Sequence, residues 1–278
     1  MEHVLELLRQ EYREQIKSET FWQIEELRLC VGQPTMIRAG AYENRLWPKA
    51  TGEDLDQLVR TACRQSIYAH TETLRQGFIT IEGGHRIGIC GFGVLQGNEV
   101  HGITSVSSAV IRIARQVMGC ADRLVELKGS TLILGAPGSG KTTLLRDLIR
   151  QLSDKRFQRI GVADERGELS AAVHGVPQLQ VGMRTDILVN IPKAQSTMML
   201  LRTMHPQWIA MDEVTAPADL DAMENISYCG VNLLATAHVL TIEDLKRRPL
   251  YRKMMEMKIF QNLVLLHQDK TYEIMEVE

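Results

Sequence analysis

Gly135-Ala136-Pro137-Gly138-Ser139-Gly140-Lys141-Thr142 decides the fold of the chain's second half. It fits G-x-x-x-x-G-K-[ST] without a mismatch. The apolar run Thr131-Leu132-Ile133-Leu134 precedes it, and Thr143-Leu144-Leu145-Arg146-Asp147-Leu148-Ile149 follows with a helical pattern. Strand, glycine loop and helix in this order form a P-loop. The glycines let the backbone wrap a triphosphate, and free N–H groups at the helix N-terminus make an anion nest. The expected nucleotide-binding residues are therefore Gly135, Ala136, Pro137, Gly138, Ser139, Gly140, Lys141, Thr142 and Thr143. Lys141 should reach the β- and γ-phosphates, and the Thr142 hydroxyl should sit on Mg²⁺. ATP and Mg²⁺ are the expected ligands.

Around this motif strands and helices alternate. Strands are expected near 131–135, 159–163, 208–212 and 231–236, and helices near 141–152, 192–204, 217–229 and 242–256. Residues 258–266 and 271–276 alternate like a terminal hairpin. The rhythm predicts an α/β domain over 121–278, its mainly parallel sheet covered on both faces. Residues 1–120 read as a smaller α+β domain. An amphipathic helix is expected over 2–17, and Leu27-Arg28-Leu29-Cys30-Val31 reads as a strand. Thr51-Gly52-Glu53-Asp54 resembles a capping box opening a helix with Leu55, Leu58, Val59 and Ala62 inward. Phe78–Glu82, Gly83-Gly84 and His85–Gly91 read as a hairpin, and Ala109–Ala114 as a further strand.

Composition bounds the function. The chain has 278 residues, 44% hydrophobic and 24% charged, so it can bury a full core. A net charge of −2 supplies no general attraction to nucleic acid, and no nucleic-acid partner is expected. The five cysteines (Cys30, Cys63, Cys90, Cys120, Cys229) are scattered and never form C-x-x-C. They suit a reducing compartment and exclude a disulfide framework or a zinc site. Met1-Glu2-His3-Val4-Leu5-Glu6 is too acidic for a signal peptide, and no apolar run approaches the length of a membrane span. A cytoplasmic protein without direct membrane insertion is expected.

Trp208-Ile209-Ala210-Met211-Asp212-Glu213 is the second chemical stretch. An apolar strand ending in Asp-Glu is the Walker B pattern: Asp212 can hold Mg²⁺ and Glu213 can orient or deprotonate a water. A glutamate beside the metal-binding aspartate favours hydrolysis, because a small-molecule kinase must exclude water. Asp164-Glu165-Arg166-Gly167-Glu168 brings three acids to the end of the strand after the P-loop helix, read either as carboxylates facing the metal and water or as a charged loop. Leu233-Leu234-Ala235-Thr236-Ala237-His238 ends a strand in a histidine able to sense a γ-phosphate. Arginines could supply charge near that phosphate. Candidates are Arg86, Arg112, Arg115, Arg184 and Arg202, with Arg112 the choice for nucleotide contact. Met198-Met199-Leu200-Leu201, in a helix opened by Pro192, reads as core.

The succession of Walker A at 135–142, Asp164-Glu165 with Glu168, Trp208–Glu213 and Ala235–His238 resembles the secretion ATPases of type II and type IV systems, and most of all their sporulation branch in endospore-forming bacteria. Glu25-Glu26-Leu27-Arg28-Leu29, Gly83-Gly84-His85-Arg86-Ile87-Gly88, Ala163-Asp164-Glu165-Arg166, Arg184-Thr185-Asp186 and Pro192-Lys193-Ala194 carry that likeness over most of the chain. The resemblance implies a RecA-like ATPase domain behind an N-terminal domain and a homo-oligomer, expected to be a hexamer. It implies a mother-cell setting, with the ring peripheral to membrane proteins of a secretion-like channel that it powers or assembles. By motif, Glu213 takes the catalytic role with Lys141. Asp164, Glu165 and Glu168 match the acidic box, and Glu165 and His238 join the catalytic set. Thr142 and Asp212 are the metal residues, Asp212 on general P-loop logic. One departure stands out: Val214-Thr215-Ala216-Pro217 follows Glu213, where an arginine-containing stretch is expected. An alternative reading is a nucleotide-gated docking ring with incidental hydrolysis.

Overall fold

The computed structural model describes residues 2–16, 23–63, 74–97 and 99–277. The chain divides into two compact units, Met1–Arg115 and Gln116–Glu278.

In the first unit, β1 (Glu26–Cys30), β2 (Thr35–Ala39), β3 (Tyr42–Leu46), β4 (Phe78–Thr80), β5 (Arg86–Gln96) and β6 (Glu99–Arg112) form one sheet. Its order is β3-β2-β1-β6-β5-β4, every neighbour antiparallel. Strand alternation sends Leu27, Leu29, Ile37, Ile79, Ile87 and Ile111 into a core shared with Leu55 and Leu58 of α3 (Gly52–Ala62). The capping box is present: Asp54 N–H donates to Thr51 Oγ1 at 3.2 Å, and Thr51 N–H to Asp54 Oδ2 at 2.7 Å.

The expected helix over 2–17 is instead two short ones, α1 (Glu2–Glu6) and α2 (Gln10–Gln15); residue 17 lies outside the described residues. The turn between them buries both Leu7 and Leu8. The Arg13 guanidinium takes the carbonyls of Leu8 (2.6 Å) and Glu6 (3.0 Å), which the interrupted helix leaves without partners. Strands β5 and β6 also run further than the pattern suggested, continuing the ladder to Gln96 and Glu99. Gly91 reads as a strand end but sits at a register shift, where an added Cβ would lie 2.7 Å from the carbonyls of Thr104 and Ser105.

The second unit comprises β7 (Thr131–Gly135), α4 (Lys141–Lys155), β8 (Ile160–Asp164), β9 (Thr185–Val189), α5 (Lys193–Thr203), β10 (Trp208–Met211), α6 (Pro217–Tyr228), β11 (Asn232–His238), α7 (Ile242–Arg247), α8 (Pro249–Glu256), β12 (Asn262–Leu266) and β13 (Tyr272–Glu276). Its sheet order is β13-β12-β7-β11-β10-β8-β9, parallel throughout except for the terminal β12–β13 pair. Strands β7, β8 and β10 are buried along their whole length, the condition of parallel strands covered on both faces. Leu144, Leu145 and Leu148 of α4 pack with Ile133 and Val264 in one apolar cluster. Leu200, Leu220 and Met223 of α5 and α6 pack with Leu132, Ile209 and Leu233 in another. The fold is the expected α/β domain behind an antiparallel-sheet unit.

Three details differ. The helix expected over 242–256 breaks before Pro249, because proline forces Arg248 into extended backbone (ψ 122°). Strand β9 was not anticipated; it is a half-buried edge strand. In α5 the buried residues are Lys193, Ser196, Thr197 and Leu200, while Met199 is exposed, so the helix's core face is largely polar.

The strand order matters most for chemistry. Strand β11 lies between β7 and β10. Gly135 is registered with His238, and Met211 with Ala235. The P-loop, His238 and Asp212-Glu213 thus emerge side by side at the carboxyl ends of three adjacent strands, where open α/β sheets bind ligands.

Candidate functional site

The loop after β7 is shaped by backbone demands. An added Cβ at Gly135 would lie 2.7 Å from both the Leu266 carbonyl and Ser139 Oγ. Gly140 caps α4 in left-handed backbone (φ +103°), which glycine adopts without strain. No side chain caps this helix, so its first N–H groups have no intrahelical partner and point out of the helix end. The Ser139 hydroxyl is buried and has no hydrogen-bond partner among the described residues. Orphaned donors in a glycine cradle fit a bound polyphosphate.

Lys141 folds back onto the strand ends. Its Nζ donates to the Gly135 and Ala136 carbonyls and to His238 Nδ1, each at 2.9 Å. An ammonium only donates, so Nδ1 is bare and the imidazole proton lies on Nε2. That Nε2 is 3.1 Å from Glu213 Oε1. Burial pushes the Lys141 ammonium below its ordinary pKa, and the charges of Asp212 and Glu213 oppose the shift. A phosphate oxygen would have to displace one of the three acceptors, all of which are weaker partners for an ammonium than an anion.

Thr142 Oγ1 donates to Asp212 Oδ2 at 2.6 Å, and Thr236 Oγ1 donates to Asp212 Oδ1 at 2.5 Å. A hydroxyl and a carboxylate together beside an anion nest suit Mg²⁺, which takes few protein ligands and completes its shell with phosphate oxygens and water. Among the described residues there is no cluster of three or more His, Cys, Asp or Glu able to hold a metal by itself. Thr142 and Asp212 are the residues that would hold the ion.

Glu213 follows in unusual backbone. Its φ is +55°, the left-handed region that non-glycine residues adopt at a cost of order 1–3 kcal/mol. Both peptide groups are held: its N–H donates to Thr236 Oγ1 (2.8 Å), and its carbonyl accepts from Lys193 Nζ (2.6 Å). Its carboxylate lies between His238 and Arg166, whose Nη1 donates to Oε2 at 3.0 Å.

The acidic loop after β8 divides into different roles. Both Asp164 oxygens are occupied by its own loop: Oδ1 accepts from Leu169 N–H, and Oδ2 from Ser170 N–H and Oγ. Asp164 therefore fastens its own loop, and it also lines the cleft shared with Asp212 and Glu213. The fastening is double, because buried Arg146 of α4 donates to the carbonyls of Leu169 and Glu168, each at 2.6 Å. Glu165 lies 3.7 Å from Lys193. Glu165, Arg166, Glu168, Lys193, Asp212 and Glu213 line one small cleft.

Of the residues expected from sequence, Lys141, Thr142, Asp212, Glu213 and His238 converge. Arg112 belongs to the first unit, on an exposed strand face. It stands opposite Arg86 in the β5–β6 ladder and shares a shallow pocket with Arg28, while Arg86 stacks over Phe78 at 3.8 Å from the ring centre. Sequence reasoning passed over Thr236, Arg166 and Lys193 as functional residues. Thr236 lies in the quoted β11 segment, and its period-2 relation to His238 places both on one strand face, a usable signal. Lys270 was missed as well. From the turn before β13 its Nζ donates to the P-loop carbonyls of Gly138 (3.1 Å) and Ser139 (2.9 Å), a contact no local pattern announces.

Residues 1–276 match the sequence profile described as sporulation stage III, protein AA. The chain belongs to that family. It is 34% identical over 265 residues to stage III sporulation protein AA of Bacillus subtilis (strain 168), covering 92% of this chain and 86% of the relative. Among solved structures it resembles the pilus retraction motor PilT with bound ADP, with a TM-score of 0.63 and 16% identity over 94% of this chain and 81% of that one. It also resembles the Legionella pneumophila ATPase DotB, with a TM-score of 0.55 and 14% identity over 90% of this chain and 75% of that one. At such identities these two likenesses establish the fold. For this member of the sporulation family, the second unit is thus a RecA-like α/β domain. Among the described residues no helix is long and apolar enough to cross a membrane.

Proposed function

We propose that this protein hydrolyses ATP with Mg²⁺ as a ring-forming secretion-type ATPase. The hexamer powers or assembles a membrane-spanning, secretion-like channel during endospore formation, from the mother-cell cytoplasm at the periphery of its membrane partners. The observation that carries the hydrolytic reading is the convergence at three adjacent strand ends of Lys141, Thr142, Asp212, His238 and Glu213. The family membership carries the sporulation setting.

In this reading the P-loop N–H groups from Gly138 to Thr143 bind the phosphates, and Lys141 transfers its donors to the terminal ones. Mg²⁺, held by Thr142 and Asp212, supplies neutralisation of the phosphate charge. Glu213 orients the attacking water and accepts its proton. His238 joins the P-loop lysine to that glutamate, so a change at the terminal phosphate reaches both. Glu165 tunes the cleft through Lys193. Arg112 contributes charge to bound nucleotide once a ring has formed. A docking ring with incidental hydrolysis is the second reading. Its support is that Arg166 and His238 already occupy the Glu213 carboxylate, an arrangement suited to slow turnover.

Steady-state phosphate release decides between them. The oligomerised protein should turn over ATP repeatedly, and Glu213→Gln should lower kcat by about 10²–10³-fold with ATP binding retained. Unchanged turnover in Glu213→Gln would remove Glu213 from the mechanism. Less than one turnover per subunit with the membrane partners present would favour the docking ring.

A further inference from the structure

Lys193 is an improbable residue for its position. It opens α5, where the positive end of the helix dipole disfavours a cation. Its side chain is also only 9% exposed. A lysine held there needs oxygen partners to offset both effects. It has three: the Glu213 carbonyl at 2.6 Å, Glu165 Oε2 at 3.7 Å and Asp219 Oδ2 at 3.7 Å.

The first of these bears on chemistry. The direction of a residue's N–H follows its φ, and that of its carbonyl follows its ψ. At Glu213 the N–H is held by Thr236 and the carbonyl by Lys193. The two bonds set both torsions of a left-handed residue that would otherwise relax. Those torsions aim the carboxylate at His238 Nε2 beside Lys141. Asp219 completes the frame by accepting from the Thr215 and Ala216 N–H groups, closing the turn that leaves Glu213.

We infer that Lys193 is a positioning residue for ATP hydrolysis: its buried ammonium holds the Glu213 backbone in left-handed form, so that the carboxylate is presented to the phosphate loop. It touches neither phosphate nor water. Glu165 and Asp219 serve as its counter-ions, which gives Glu165 an indirect part. The inference rests on Glu213 being the hydrolytic glutamate.

The test uses the full chain and Mg·ATP. Lys193→Met alone would leave buried Asp219 without its cation, so it is combined with Asp219→Asn; Lys193→Gln, which keeps a polar amide in the site, is the second variant. Both should lower kcat by about 10–100-fold, the penalty of a group displaced by about 1 Å, with KM for ATP within about threefold of wild type. Added to Glu213→Gln, neither should lower kcat further. Wild-type kcat in a folded Lys193 variant, a raised KM at unchanged kcat, or a loss that multiplies with that of Glu213→Gln would each overturn the positioning role while leaving the hydrolytic reading intact. If Glu213→Gln itself hydrolyses at the wild-type rate, the hydrolytic reading has failed, and the positioning role with it.

Discussion

The two units solve the same problem, burying a sheet, in opposite ways. The first uses antiparallel strands with one inward and one outward face, and its outward face carries Arg28, Arg86 and Arg112. The second uses parallel strands buried on both faces, so that polar chemistry is confined to their carboxyl ends. Arg28 and Arg112 of that face are exposed. In the second unit Lys141, Arg146 and Lys193 are all buried, and each ends on backbone carbonyls. A buried cation held by carbonyls fixes backbone geometry, whereas an exposed one is available to a ligand or partner. Glu213, left-handed at the strand end, is held through its carbonyl by one of these buried cations, Lys193.

Four measurements test this contrast. The largest effect should follow Lys141→Ala, which removes the ammonium from the nest. Affinity for a fluorescent ATP analogue should fall at least 100-fold while the melting of the first unit stays put; tight binding by that variant would refute the P-loop assignment.

The next concerns acid. His85 is buried in the first unit, its Nδ1 accepting from Ala114 N–H. Burial lowers its pKa from 6.5 to about 4. The unfolded chain therefore binds a proton that the native state refuses between those values. Stability is full above pH 6.5 and is lost as pH falls to about 4, by roughly 2–3 kcal/mol. Chemical denaturation across this window should show the loss in the first unit and not in His85→Gln. An equal pH slope in both proteins would assign it to other groups.

Glycines give a smaller effect of the same kind. Gly135→Ala drives a Cβ against the Leu266 carbonyl and should destabilise the second unit by about 2 kcal/mol. Gly93→Ala, with nothing within 4 Å and no positive φ, should change the first unit by less than about 0.5 kcal/mol. Equal shifts in calorimetry would mean that the tightness at Gly135 relaxes freely. Arg112→Ala should be the mildest for folding, again within about 0.5 kcal/mol. If Arg112 reads nucleotide in the ring, the same variant raises KM for ATP; an unchanged KM would leave it a surface residue.

Much of this was legible beforehand for physical reasons. The P-loop, the Asp212-Glu213 strand end and the Thr51–Asp54 capping box are contiguous motifs whose chemistry depends on near neighbours, and each has the local structure its residues imply. The parallel sheet followed from the spacing of apolar runs. Errors came where distant segments overrule local pattern. The strands expected at His85–Gly91 and Ala109–Ala114 belong to a longer β5–β6 ladder, which cross-strand pairing carries on to Gln96 and Glu99. The apolar residues of 2–17 suggest one helix, but the chain turns at Leu7 and Leu8, and both are buried there. The acidic loop carried two readings, carboxylates facing metal and water or a charged loop, and the structure adds that Leu169 and Ser170 of that loop hydrogen-bond both Asp164 oxygens.

The sequence by its own pattern showed a glycine-rich P-loop motif, an Asp-Glu pair at a strand end and an α/β frame to hold them, because those are properties of short spacings and of periodicity. Only the tertiary structure decided that β11 lies between β7 and β10, that Glu213 is left-handed, and that Lys193, twenty residues earlier in the chain, holds its carbonyl. Strand order and the partners of buried polar atoms are set by which elements pack together, and the satisfaction of a buried ammonium is a property of the whole packed core rather than of any stretch of sequence.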